Sequence, residues 1–169
     1  MIINLYEFDE ADTISTERLT LRLMKDEDAA DIFEICGDPD TASDAGIPCM
    51  KSVEDARDYI IRWNKDSMVI VLGDEVIGLI ESYLDDELLY DSYFLGYYMK
   101  KKHRNKGYMT EALTALRNWW IEKGDEVPML WIFPGNVAPE RVAATSGWTY
   151  LDSHVVDINC LNQYVDFYI

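Results

Sequence analysis

Phe94-Leu95-Gly96-Tyr97-Tyr98-Met99 runs directly into Lys100-Lys101-Lys102-His103-Arg104-Asn105-Lys106-Gly107-Tyr108-Met109-Thr110-Glu111. The first run is apolar and aromatic, the composition of a buried strand. The second packs five basic residues and His103 into positions 100–106 and then supplies Gly107. Beyond it Met109, Leu113, Leu116 and Trp120 share one helical stripe, with Glu111, Arg117 and Asn118 outside it, until Gly124 ends the pattern. The order is strand, basic glycine-containing loop, amphipathic helix. A helix start leaves backbone N–H groups unpaired and carries partial positive charge, so such a junction can cradle a phosphate. A phosphorylated cofactor is expected there.

Upstream of the junction, Met68-Val69-Ile70-Val71-Leu72 reads as a buried strand, Gly73-Asp74 as a turn, and Val76 to Tyr83 as the hairpin partner. Arg18 to Leu23 alternates polar and apolar residues, as a half-buried strand does. Two helices lie between these strands. One follows Asp26, with Ala29, Ile32, Phe33 and Cys36 on one face, and is stopped by Gly37 and Pro39. The other begins at Ser52, turns Val53, Ala56, Ile60 and Trp63 inward, and ends near Lys65. Residues 38–51 are expected to be a loop that walls a site, and residues 1–16 an acidic, loosely held lead-in. Downstream come a short strand at Met129 to Phe133, a short helix from Pro139 to Thr145, and a closing antiparallel pair over 149–156 and 163–169. Trp63, Trp119, Trp120 and Trp131 are assigned to the core. Together these make one α+β domain over residues 1–169, a mixed, mostly antiparallel sheet of about six or seven strands with helices on both faces.

The formal charge is −17, from 15 Lys and Arg against 32 Asp and Glu. Between Lys65 and Lys100 the chain has no cation, whereas Asp66, Asp74, Glu75, Glu81, Asp85, Asp86, Glu87 and Asp91 all fall there. A field of that sign repels nucleic acid and anionic membrane and draws cations. No apolar run reaches bilayer-spanning length. With no basic residue before Arg18, no signal peptide is expected. Cys36, Cys49 and Cys160 are odd in number and widely spaced, which fits inert thiols in a reducing cytoplasm. Neither they nor His103 and His154 form a metal-ligand cluster, so no metal is expected. Monomer and homodimer both stay open.

Two motifs carry a family resemblance. Arg104-Asn105-Lys106-Gly107-Tyr108-Met109-Thr110-Glu111-Ala112 resembles the R/Q-x-x-G-x-G/A pyrophosphate loop of the GCN5-related N-acetyltransferase (GNAT) superfamily. Gly135-Asn136-Val137-Ala138-Pro139-Glu140-Arg141-Val142-Ala143, with Gly147-Trp148 behind it, is similar to that family's N-x-x-S/A…G-F segment. The likeness extends from Glu17 to the Asp166-Phe167-Tyr168 end, and within the superfamily the chain is similar to the ribosomal-protein N-terminal acetyltransferase branch. It implies acetyl-CoA as co-substrate. It further implies that the backbone of Met99 and Lys101 takes the pantetheine arm, and that Asn136 touches the cofactor. The amides of the loop residues Arg104, Asn105, Lys106, Gly107, Tyr108, Met109 and Thr110 would hold the pyrophosphate, and Lys100 is counted among the cofactor-binding residues. The chain departs from the pattern at three places. Met109 stands where Gly or Ala is usual, Ala143 where many members carry an acid tyrosine, and Phe94 where many carry a strand glutamate.

Acetyl transfer to an alkyl amine needs a group that accepts a proton, because the amine is charged at neutral pH. Glu81 is the best-placed carboxylate, although an alternating strand could equally turn it to solvent. The Met99 N–H could donate to the thioester oxygen. Tyr97 and Tyr98 face opposite ways as strand neighbours, so at most one can enter a site, and core packing suits both. The reading is acetyl transfer to a primary amine of a cationic small molecule or peptide: a protein N-terminus, a polyamine or an aminoglycoside-like compound. The alternative is a catalytically degenerate CoA-binding module, suggested by Met109, Ala143 and Phe94.

Overall fold

The computed structural model describes residues 8–84, 90, 92–158 and 161–169. In chain order the elements are β1 (Ile14–Ser15), β2 (Thr20–Leu23), α1 (Ala29–Cys36), α2 (Pro39–Ala45), α3 (Val53–Trp63), β3 (Ser67–Leu72), β4 (Glu75–Leu84), β5 (Tyr93–Met99), α4 (Tyr108–Lys123), β6 (Leu130–Ile132), α5 (Val137–Thr145), β7 (Tyr150–Ile158) and β8 (Leu161–Tyr168). Strands β1 to β5 form an antiparallel sheet in chain order, and β6, β8 and β7 form a second. The α+β class follows from the sequence patterning. What the patterning did not contain is the seam between the sheets. There β5 and β6 run parallel for one bridge, Phe94 opposite Met129. The Leu95 N–H donates to the Met129 carbonyl at 2.9 Å, and the Met129 N–H to the Tyr93 carbonyl at 2.7 Å.

One core lies between the large sheet and α4. Leu21, Met68, Ile70, Ile77 and Ile80 meet Leu113, Leu116 and Trp120 there, all essentially fully buried. The α4 stripe is therefore as expected, and Met109 belongs to it. The opposite face of the sheet packs on α1 and α3 through Val69, Leu79 and Tyr98 against Ile32, Ile35, Ala56 and Ile60. A third cluster, with Phe94, Met129, Val165 and Phe167, ties the two sheets together.

Three expectations need correction. Residues 39–45 are a helix rather than a loop. Asp38 caps it by accepting the Thr41 N–H at 2.9 Å, Pro39 occupies the first turn, and Gly46 ends it at φ 68°. The lead-in is not loosely held over its described part: Phe8 is buried against Trp119 and Trp120, and Ile14 pairs with Leu21 in β1. Trp63 is exposed rather than in the core. Residues 1–7, most of the acidic connection before β5, and Cys160 lie outside the described residues. Cys36 is buried, and burial pushes its thiol up to about 12. Among the described residues no helix is long and apolar enough to cross a membrane.

Candidate active site

Past the Phe94–Met129 bridge, β5 and β6 have no further ladder between them. A cleft of about 920 Å3 opens there, running from Tyr97 and Met99 of β5 to Ile132 and Asn136 and on to Gly107 and Thr110. Amides alternate sides along an antiparallel strand. Leu95 donates toward β6, and Lys100 donates back toward β4, to the Ile77 carbonyl at 2.9 Å. The N–H groups of Tyr97 and Met99 accordingly face the cleft. The Met99 carbonyl is already engaged, accepting from Arg104 Nε at 3.0 Å.

The loop after β5 is built to expose its backbone. Asn105 (φ 60°) and Gly107 (φ 79°) are both left-handed, a conformation that Asn tolerates and Gly favours. Among the described residues, the amides of Asn105, Lys106, Gly107, Tyr108, Met109 and Thr110 have no protein acceptor; the first one bonded in α4 is Glu111, to the Gly107 carbonyl at 3.0 Å. Six unpaired N–H groups in a concave turn at a helix start form an anion cradle. A diphosphate fits this donor set.

The cations that drew attention to the loop are mostly committed elsewhere. The Lys100 side chain is 2% exposed, and its Nζ lies 2.6 Å from Asp31, 2.7 Å from Glu34 and 3.1 Å from Glu75. Burial favours loss of its proton, but hydrogen bonds to these three carboxylates outweigh that and raise its pKa. The three carboxylates stand close enough to hold a metal ion, and the protein's own ammonium takes that place. Lys101 pairs with Asp38 at 2.9 Å and Asp40 at 2.6 Å, and Lys102 with Glu75 at 2.6 Å. Hydrogen bonds from Lys102, then Lys100, hold Glu75 down to about 2. His103 Nε2 sits 3.1 Å from Glu75. The side chains of Lys100 and Lys101 thus serve α1 and α2, while the role expected of Lys101 rests on its backbone.

Arg104, Asn105, Gly107, Tyr108, Met109, Thr110 and Asn136 all line the cleft, whereas Lys106 is exposed at its rim and makes no ion pair among the described residues. Arg104 spans two elements, with Nη2 donating to Thr41 Oγ1 of α2 at 2.7 Å. Sequence reasoning missed Arg18, which underpins the loop. Its guanidinium stacks on Tyr108 at 4.5 Å, donates to the Lys106 carbonyl at 3.2 Å, and pairs with Glu111 at 2.7 Å. Only the Glu-Arg-Leu-Thr-Leu-Arg lead into β2 hinted at it.

Glu81 does not point to open solvent. It is half-buried, with Tyr59 Oη donating to Oε2 at 2.5 Å and Tyr98 Oη donating to Oε1. Burial raises its pKa above the ordinary carboxylate value, and the two phenols partly oppose that. Tyr97 turns the other way and donates to the Pro139 carbonyl at 3.0 Å. Phe94 and Ala143 are both fully buried.

A model of the GNAT acetyltransferase domain matches residues 18–149. The chain belongs to the GNAT acetyltransferase family. Acetyl-CoA is that family's co-substrate, and the free amides and open strand edge suit it. An uncharacterized N-acetyltransferase, p20, of Bacillus licheniformis is 32% identical over 114 residues, covering 62% of this chain and 64% of that protein. The match therefore spans less than two thirds of that relative's length. Among solved structures, a GNAT-family acetyltransferase from Bacillus anthracis superposes with a TM-score of 0.80 at 20% identity, over 93% of this chain and 96% of that one. The Salmonella typhimurium acetyltransferase that modifies the N-terminal serine of ribosomal protein L7/L12 gives 0.75 at 16% identity, over 93% and 97%. At those identities the likeness concerns the fold of this GNAT domain.

Proposed function

We propose that the protein transfers an acetyl group from acetyl-CoA to a primary amine of a cationic acceptor. The observation that carries this is the continuity of six unbonded loop amides with the open edge of β5 along one cleft. The diphosphate rests on the amides of Asn105 to Thr110, with Asn136 across from them. The pantetheine arm runs along β5, and the Met99 N–H donates to the thioester oxygen, a contact worth about 3–4 kcal/mol in a well-formed oxyanion hole. Glu81, raised by burial, receives the amine's proton. The charge of −17 selects for cationic acceptors such as a protein N-terminus, a polyamine or an aminoglycoside-like compound.

Calorimetric titration with acetyl-CoA tests the reading directly, and no heat at millimolar cofactor would remove it. Gly107→Glu puts a side chain at φ 79° and a carboxylate into the cradle. It should abolish binding while circular dichroism stays native; unchanged affinity in that folded variant contradicts the cradle. Cofactor binding without catalysis is the second reading, favoured by the burial of Phe94 and Ala143. Rapid thiol release with any member of an amine panel excludes it.

A further inference from the structure

We infer that Tyr98, not Glu81, is the catalytic residue that meets the acceptor amine, acting as the cleft-side end of a Tyr98–Glu81 proton relay. This rests on the acetyl-transfer reading above. Both Glu81 oxygens are occupied by phenols, Oε1 by Tyr98 and Oε2 by Tyr59. Of these three residues Tyr98 alone lines the cleft. Tyr98 lines the cleft and its hydroxyl donates to Glu81 Oε1, which places it to pass a proton between the two.

Gly96 makes the arrangement possible. It lies opposite Glu81 in the β4–β5 ladder, and it also lines the cleft. A Cβ there would stand 2.5 Å from Tyr98 Oη and 2.9 Å from Glu81 Oε1. The hydroxyl and carboxylate thus sit directly against the Gly96 backbone, in space that any side chain would fill. Tyr59, from α3, is outside the cleft and holds the other oxygen, with Ser67 Oγ 3.5 Å from its hydroxyl. It is a positioning residue. The groups facing Glu81 are then Tyr59 of α3, Ser67 of β3 and Tyr98 of β5, with the buried Cys36 of α1 also on this side of the sheet. None of them carries positive charge, so among the described residues the carboxylate is steadied by hydrogen bonds alone, and it is disposed to take a proton.

The step balances. An N–H bond of the acceptor ammonium breaks as its proton passes to Tyr98 Oη, and the original Oη–H bond breaks as that proton passes to Glu81 Oε1. The tyrosine is neutral before and after, Glu81 ends as the neutral acid, and the amine gains its lone pair. Attack at the thioester carbonyl forms the C–N bond. The C–S bond then breaks, and the departing thiolate takes the amine's remaining excess proton. Glu81 later returns its proton to water.

The test is the pH dependence of turnover with one alkyl amine, in protein already shown by calorimetry to bind acetyl-CoA. In the wild type kcat/KM should have an acidic limb set by Glu81, displaced above the ordinary carboxylate range. Tyr98→Phe should bind acetyl-CoA within about two-fold of the wild type while kcat falls about 10²–10³-fold, the usual scale for losing a proton-transfer group. Its rate should rise log-linearly with pH up to the pKa of the free amine, because only amine deprotonated in solution still reacts. Tyr59→Phe should keep the wild-type profile but shift the acidic limb upward, since Glu81 loses a bond that favours its charged form. If Tyr98→Phe does not fold, 3-fluorotyrosine placed at position 98 alone retains the packing and should change kcat, whereas an unchanged kcat would overturn the relay. A Tyr98→Phe enzyme with wild-type rate and profile, beside a slow Glu81→Gln enzyme, would overturn the relay and leave Glu81 acting without Tyr98. Failure of the wild type to bind acetyl-CoA would instead overturn the acetyl-transfer reading itself.

Discussion

At the level of single residues, a lysine offers a phosphate only what its own partners leave. Lys100 leaves nothing, because Asp31, Glu34 and Glu75 surround its ammonium. Replacing it by methionine should lower stability by about 2 kcal/mol in urea unfolding. That is below the ~3–5 kcal/mol typical of a broken buried pair, because the three carboxylates keep enough exposure to be rehydrated. Affinity for acetyl-CoA should hardly move, since Lys100 does not line the cleft. Glu75 gives a pH prediction of definite sign. Its folded-state pKa is depressed to about 2, so its stabilising contribution is full above the unfolded carboxylate value and is lost as pH falls toward 2. Glu75→Gln should therefore flatten the loss of stability between about pH 4.5 and 2. Equal acid sensitivity in the two proteins would show that the Lys100–Lys102–His103 cluster contributes nothing there. The run of cations was legible in the sequence, but their partners lie some 25 to 70 positions away, and no spacing rule reaches that far. The backbone amides, which need no particular side chain, were legible through Gly107 alone.

At the level of elements, the sequence signalled α4 and its preceding strand because both the 3.6-residue stripe and the apolar run are local. The signal for α2 was also local and was read wrongly. Asp38-Pro39 is an N-cap followed by a first-turn proline, yet the same proline serves to stop α1, and that was the meaning assigned to it. The parting of β5 from β6 had no local signal, since it consists of a ladder that ends after one bridge. The α2 helix matters because Arg104 ties it to the loop after β5, with Nε on the Met99 carbonyl and Nη2 on Thr41 Oγ1. Lysine has the charge but not the fork, so Arg104→Lys can keep one of these bonds and not both. At about 1 kcal/mol for the lost bond, acetyl-CoA affinity should fall roughly five-fold by calorimetry. Thr41→Val, which removes the acceptor instead of the donor, should have a similar effect. The two changes combined should cost little more than either alone, as for residues sharing one interaction. Strict additivity would mean that α2 and the loop are independent.

Across the whole molecule, residue patterning gave the class of fold and composition the sign of the field, and neither depends on which residues touch. It overstated the contrast between a basic pocket and an acidic surface. Most of the loop's cations are neutralised by α1, α2 and β4, so the cradle relies on amides while the chain as a whole carries a net charge of −17. That division has a kinetic consequence. Acetyl-CoA is an anion and approaches against the field, so added salt should leave its binding unchanged or speed it. A polycationic acceptor approaches with the field, and salt should slow it. With acetyl-CoA saturating, kcat/KM for a tricationic polyamine should drop about ten-fold as ionic strength rises from about 0.02 to 0.3 M, where the screening length shrinks to several Å. A monoamine of the same reactivity should lose less than about two-fold, because steering scales with the acceptor's charge. Parallel losses for the two acceptors would mean that the acidic surface plays no part in selecting the amine, and selection would then have to reside within the cleft, at Tyr98 and its neighbours.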